Sequence, residues 1–426
     1  MSPTILPIYQ LLYNIFKRFT RDCVRNKRIK NSEKEKISLL FYTKFEKSVV
    51  FMKKIAIILV LAAMLSVPAF AEGGAQIEAP SGILIENSTG QILYEKDAHQ
   101  RLAPASVTKV MTMLLTMEAL ESGRIQLDET VTASDHAAQM GGSQIYLAPG
   151  EQMSVHDMLK SIAVASANDA CVAMAEHICG SEQAFVDLMN QKAQSLGMAD
   201  THFDNCCGLD SETHYTSAYD IALMSRELLR HEGIRAYTTI WMDTVRDGQF
   251  GLTNTNKLVR FYDGATGLKT GFTSKAGYCV SASASRSGME LIAVIMHSDS
   301  SAHRNADASG LLNYGFANYA LVRYGEEDAA PEPVPVLLGK EDSCIGEISD
   351  DACLLVNKAQ AQSIEKQISL DPALTAPVEK GQRIGVLRYV KDGEVLKEVP
   401  ILAKYAIEKR TALDIYSDVL RNLMMK

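Results

Sequence analysis

The apolar positions change rhythm several times along the chain. Ile83, Leu84 and Ile85, then Ile92, Leu93 and Tyr94, flank Asn87-Ser88-Thr89-Gly90, which predicts a β-hairpin over 81–96. From Ser106 to Ser122 the period lengthens to that of a helix through Val110, Met113, Leu114, Met117 and Leu120, and Gly123 stands where a helix C-terminus favours glycine. A second helix is expected behind Ser154, with Asp157 three residues on as a capping-box variant. Its helical signal runs to Cys179, stops at Gly180, and restarts behind Ser181 as far as Gly197. Another helix spans Ser217–Arg230. From Thr266 the runs GLKTGFT, GYCVSASAS and MELIAVIMHS predict three strands, followed by a helix over Ala302–Arg323. A hairpin, many helices, three strands joined by tight turns and a last helix give an α+β fold with helices packed on an antiparallel sheet.

The pattern then breaks. Glu326–Pro335 (EEDAAPEPVP) is acidic, Pro-rich and apolar-poor, and reads as an extended linker. Residues 336–408 carry short β-prone runs, among them Arg383–Val390 and Val395–Leu402 around a turn at Lys391-Asp392-Gly393-Glu394, and form a small all-β domain. In the tail, 411–426, Leu413, Tyr416, Leu420, Leu423 and Met424 recur at helical spacing. That segment fits an interfacial membrane helix or a helix packed on the β domain. The expected organisation is therefore 75–325, linker 326–335, β domain 336–408 and tail 411–426.

Charge divides the chain differently. Residues 1–71 hold 13 Lys/Arg against 4 Asp/Glu, and residues 72–426 hold 30 against 47. So acidic a body is unsuited to nonspecific nucleic-acid binding, and none is expected. In the basic head, Lys53-Lys54, the apolar run Ile55–Val67 and Ala69-Phe70-Ala71 form a signal peptide over 52–71, with cleavage expected after Ala71. Translation is expected to start at Met52, leaving 1–51 as a non-native extension. The mature chain is thus exported. Seven of the eight Cys follow Ala71, an odd number that implies no complete disulfide framework. Cys171 and Cys179 share one helical stretch and cannot bridge, Cys206-Cys207 are expected unpaired, and Cys344 and Cys353 have the spacing for a bridge.

Three short motifs could carry chemistry. Ser106-Val-Thr-Lys109 opens an apolar helix, so Lys109 falls one turn from Ser106 on the same face. A lysine desolvated there beside another cation can lose its proton and serve a serine hydroxyl as base. The spacing alone is cheap: Ser363-Ile-Glu-Lys366 repeats it in what reads as surface helix. Ser166-Ala-Asn168 lies among small residues and fits a helix junction as well as a site. Lys269-Thr270-Gly271, on a predicted strand, offers a charge, a hydroxyl and room for a ligand backbone, though it also fits an exposed strand edge. The nine His show no metal-ligand spacing, so neither metal nor organic cofactor is expected.

S-x-x-K, S-x-N and K-T-G in this order form a known set. With RLAPASVTKVMT, GGSQIYLAPGEQMSVHDMLKSIAVASANDA, GATGLKTGFTSKAGYC and, in the β domain, APVEKGQRIGVL, the chain resembles the serine-type D-alanyl-D-alanine carboxypeptidases, the low-molecular-mass penicillin-binding proteins, over roughly 75–410. The resemblance implies a β-lactamase/transpeptidase-like catalytic domain. It implies removal of the terminal D-alanine from peptidoglycan stem pentapeptides through an acyl-enzyme that penicillin also forms. It assigns Ser106 as nucleophile, Lys109 as its base and Ser166 as a proton relay. Asn168, Lys269, Thr270 and Arg304 become substrate-binding residues, and the backbone N–H groups of Ser106 and Phe272 the oxyanion hole. Asp220 matches an acidic family position, or is simply the third residue of its helix. Two positions depart from the family: Cys207 stands where histidine is common, and Phe272 where relatives often carry a polar residue. The expected partners are the stem peptide, β-lactams and the outer leaflet of the cytoplasmic membrane. A DD-endopeptidase, a β-lactamase and a non-catalytic wall-binding protein are the rival readings.

Overall fold

The structure is a computed structural model that describes residues 75–325, 328–349 and 352–424, together with Arg18. The signal segment 52–71 and, Arg18 apart, the extension 1–51 lie outside the described residues. The hairpin forms as β1 (Ser81–Glu86) and β2 (Ile92–Lys96), and the three later strands as β3 (Ala265–Thr273), β4 (Gly277–Arg286) and β5 (Met289–Ser298). They assemble into one antiparallel sheet of order β2-β1-β5-β4-β3. The sheet is buried on both faces, and β5 shows why its sequence reads as an unbroken apolar run. Ile292, Val294 and Met296 join the helical core on one face, while Leu291, Ala293 and Ile295 pack on the other against Ala308, Leu311, Leu312 and Phe316. Those last four residues belong to α6 (Ser301–Asn318). The large core holds α1 (Lys109–Glu121), α2 (Val155–Val164), α3 (Asn168–Cys179), α4 (Glu182–Ser195) and α5 (Ala218–Arg230). Ser154, Ser181 and Ser217 cap α2, α4 and α5 by accepting from the N–H three residues on.

Four details differ from the sequence reading. Ser106 lies not in α1 but in a 3-10 turn, Ala105–Thr108, that feeds it. The helical signal from Ser154 to Cys179 is two helices, broken where Ser166 takes φ +62°. α6 stops at Asn318, because Tyr319–Arg323 forms a strand, β6, antiparallel to β8 (Cys353–Asn357). The linker also ends early, since β7 (Val334–Leu337) pairs with Ser343–Cys344 and with Leu374–Thr375.

Beyond it, β9 (Glu365–Leu370), β10 (Arg383–Lys391) and β11 (Glu394–Ala403) form an antiparallel sheet extended by Gly346–Glu347. The β10–β11 turn is two residues, Asp392 (φ +52°) and Gly393 (φ +84°), the mirror-image turn that suits twisted strands. Cys344 is a free thiol, so the Cys344–Cys353 bridge is not formed. The tail forms α7 (Ala412–Met424), opened by a reciprocal cap in which Thr411 N donates to Asp414 and Asp414 N donates to Thr411 Oγ1. Leu413 and Tyr416 on it are 75% and 63% exposed. Among the described residues, no helix is long and apolar enough to cross a membrane.

Candidate active site

The 3-10 turn sets the first distance. Side chains three apart eclipse one another in such a turn, and Lys109 Nζ lies 2.8 Å from Ser106 Oγ. Ala105, just before the serine, is buried with φ +47°, a left-handed conformation that a non-glycine residue holds only when its surroundings enforce it. Two glycines provide that enclosure. A Cβ on Gly271 would meet Ser106 N at 2.8 Å and Pro104 O at 2.9 Å, and one on Gly208 would meet Ala105 O at 1.9 Å. The K-T-G strand and the loop after Cys207 therefore clasp the serine turn at distances only glycine permits.

Lys109 is fully buried and has two further contacts, Asn168 Oδ1 and the Cys207 carbonyl, both at 2.7 Å. Both are pure acceptors in this arrangement, because Asn168 Nδ2 donates elsewhere, to Gly141 O. Nζ donates to Ser106 Oγ and to the two carbonyl oxygens, so three contacts fix the amine against the serine hydroxyl. The geometry suits a base, and its source is local: Asn168 opens α3 directly after the Ser166 break, and its own N–H is fixed by Ser143 O at 2.7 Å. The second S-x-x-K copy behaves otherwise. Ser363 closes a 3-10 turn, Lys366 sits on β9 rather than a helix, and its ammonium pairs with Asp328 at 2.6 Å.

Lys269 and Arg304 are buried as well, and neither they nor Lys109 has a carboxylate partner among the described residues. Burial first, then the charge of Lys109, with a smaller push from Arg304, holds Lys269 well below the ordinary lysine range. Lys269 Nζ donates to Thr270 O at 2.9 Å, and Thr270 Oγ1 donates to Thr255 Oγ1 at 2.8 Å. Arg304, in the first turn of α6, donates through Nε and Nη2 to Asn305 Oδ1 and lies 6.0 Å from the Tyr278 ring centroid. Burial lowers its pKa also. Phe272 is 55% exposed and packs on Tyr278 with centroids 4.3 Å apart, so this departure leaves an aromatic pair on the strand beside Gly271. Asp220 is elsewhere engaged: its carboxylate accepts from Asp200 N and Thr201 Oγ1, and its N–H donates to the Ser217 Oγ of the helix cap.

The structure thus brings Ser106, Lys109 and Asn168 into one hydrogen-bonded set, with Ser166 two residues from Asn168 and Gly271 packed on the serine turn. Sequence reasoning missed the Cys207 carbonyl, which no side-chain motif can announce, and Thr255, which reaches Thr270 only through the fold. It also missed His214, whose Nε2 lies 2.8 Å from Thr108 Oγ1 beside the turn.

Fold and site define a class: a transpeptidase-like α+β domain that seats a serine–lysine pair against an antiparallel sheet, with a β domain appended. Residues 68–300 match the family described as D-alanyl-D-alanine carboxypeptidase, and residues 319–409 match penicillin-binding protein 5, C-terminal domain. The chain belongs to the D-alanyl-D-alanine carboxypeptidase family. It is 46% identical over 336 residues to D-alanyl-D-alanine carboxypeptidase DacF of Bacillus subtilis, covering 78% of this chain and 86% of that protein. Among solved structures, penicillin-binding protein 5 from Haemophilus influenzae superposes with a TM-score of 0.67 at 31% identity, over 79% of this chain and 99% of that one. Penicillin-binding protein D2 from Listeria monocytogenes, in its ampicillin-bound form, gives 0.52 at 29% identity over 56% and 98%.

Proposed function

We propose that this chain is a penicillin-binding D-alanyl-D-alanine carboxypeptidase that removes the terminal D-alanine of peptidoglycan stem pentapeptides through an acyl-enzyme on Ser106. The observation that carries the reading is the Lys109 amine, buried, with two carbonyl acceptors and no carboxylate partner among the described residues, 2.8 Å from a serine hydroxyl. The substrate's terminal carboxylate is drawn by Lys269, Thr270 and Arg304, and Asn168 holds its peptide. Ser106 Oγ attacks the scissile carbonyl as its proton passes to Lys109, while the N–H groups of Ser106 and Phe272 receive the oxyanion. Collapse expels D-alanine with a proton relayed through Ser166, and water then hydrolyses the ester. Penicillin acylates the same serine because its strained amide and carboxylate present the same two features.

The enzyme works outside the cytoplasmic membrane, matured by cleavage after Ala71. The exposed apolar side chains of α7 support an interfacial anchor, so deleting 411–426 releases the protein from membranes and leaves soluble-peptide hydrolysis unchanged. Mass spectrometry after penicillin, and then after a diacyl-Lys-D-Ala-D-Ala peptide, tests the whole. A long-lived adduct on Ser106 and release of one D-alanine are expected. An adduct on another residue, or rapid penicillin turnover without D-alanine release, would overturn the assignment.

A further inference from the structure

Next to Lys109, whose Nζ donates to the Cys207 carbonyl, lie Cys206 and Cys207. Both are buried, and their sulfurs lie within 4.8 Å of one another and of a carboxylate oxygen of Glu182. Adjacent side chains face one way here because the backbone is tightly folded: Asn205 Oδ1 accepts from the N–H groups of Cys207, Gly208 and Leu209 at 3.3, 2.7 and 3.0 Å. Glu182, at the start of α4, accepts Cys206 N with Oε1 at 3.1 Å and faces His136 Nε2 with Oε2 at 2.8 Å. Thr112 Oγ1 fixes the Cys206 carbonyl and Lys109 Nζ the Cys207 carbonyl.

From this we infer that Cys206, Cys207 and Glu182, whose second carboxylate oxygen His136 holds, form a binding site for a thiophilic divalent cation of the zinc class. The donor set selects the class, since two sulfurs with one oxygen favour zinc over the oxygen-seeking magnesium and calcium. Size agrees. Tetrahedral zinc with ordinary bond lengths needs donors about 3.5–3.8 Å apart, so the three atoms close on the ion by about 1 Å or less. Binding displaces the two thiol protons to solvent. The bound ion with two thiolates and a carboxylate carries a single net negative charge and so adds no positive charge beside Lys109. Entry runs past Glu182 and His136, whose side chains are 17% and 57% exposed. Because the Cys207 carbonyl is one of the three contacts of Lys109, an ion clamped on the Cys207 sulfur fixes the strap that orients the base. This coupling rests on Lys109 being that base. The metal site itself does not.

The test uses the mature chain, reduced with a phosphine and freed of metal, titrated with Zn2+ against a chromogenic chelator and with Co2+ by absorbance. One ion per chain and a thiolate-to-cobalt charge-transfer band are expected. Cys206→Ser and Cys207→Ser should each lose the band and about 100-fold in zinc affinity, at or beyond what loss of an outer-shell partner costs. Zinc should change the penicillin acylation rate of the native chain by about fivefold, the scale of ordinary coupling between sites, and should leave that of Cys206→Ser unchanged. If metal-free protein does not react with penicillin while the cobalt band is present, the functional reading fails and the metal site stands. Absence of stoichiometric uptake, a cobalt spectrum without the sulfur band, or full affinity in both serine variants would overturn the site.

Discussion

Replacing Gly271 by alanine tests how the serine turn is positioned without touching any group that reacts. The added methyl would lie 2.8 Å from Ser106 N, 2.9 Å from Pro104 O and 3.0 Å from Ala105 Cβ. Ordinary carbon contacts begin near 3.5 Å, and two of these three neighbours are backbone atoms that cannot rotate aside. β3 and the turn must therefore separate by roughly 0.5–1 Å. Overpacking of this kind costs about 1–3 kcal/mol of stability, and a misplacement of about 1 Å near the reacting atoms costs about 100-fold in rate. Gly310→Ala is the matched control, because that glycine lies within α6 with open space where its Cβ would be. It should gain up to about 1 kcal/mol from helix propensity and acylate normally. The assay is the acylation rate with a fluorescent penicillin, read beside the thermal midpoint. A Gly271→Ala protein that acylates as fast as wild type with an unchanged midpoint would refute the claim that this close approach sets the site.

Ser106→Ala should abolish both penicillin labelling and peptide hydrolysis, and Lys109→Ala should be nearly as severe. The double variant should be little worse than either, since groups acting as a unit are not additive; additive losses in the measured rates would separate the two residues. Burial pushes His214 down to about 4 from an ordinary 6.5. The folded protein thus binds fewer protons than the unfolded chain between these values. The stabilisation is fully present above pH 6.5 and is lost as pH falls toward 4, by about 3 kcal/mol. Urea denaturation of wild type and His214→Gln should converge over that window, and parallel curves would show that His214 is not the titrating group.

What the sequence made legible follows from what a linear pattern encodes. Serine caps and hairpin turns are local, and β5 reads as an unbroken apolar run because both its faces are buried, so Ser154, Ser217, Asp392-Gly393 and that strand announced themselves. The strand β6 did not, because Tyr319–Arg323 continues an apolar rhythm that helix and strand share, and its partner β8 lies thirty residues on. The break at Ser166 was legible only in part: small residues tolerate helix, so a helix junction was one of the readings open there, and the φ of +62° emerges only in the fold. In the site, the side-chain motifs were legible, whereas the Cys207 carbonyl and the Thr255 hydroxyl belong to the fold.

The same distinction explains why one S-x-x-K is poised and the other inert. Lys366 Nζ pairs with the Asp328 carboxylate at 2.6 Å, so its charge is matched where it stands. Lys109 meets two neutral carbonyls, and the nearby basic side chains Lys269 and Arg304 are likewise without carboxylate partners among the described residues. A buried site holding basic groups and no anion is costly in a low-dielectric interior. The cost falls when a ligand supplies the missing negative charge, which in the proposed function is the carboxylate of the terminal D-alanine or of penicillin. The cluster of Lys109, Lys269 and Arg304, without a carboxylate partner among the described residues, therefore favours an anionic ligand between the serine turn, α3 and β3.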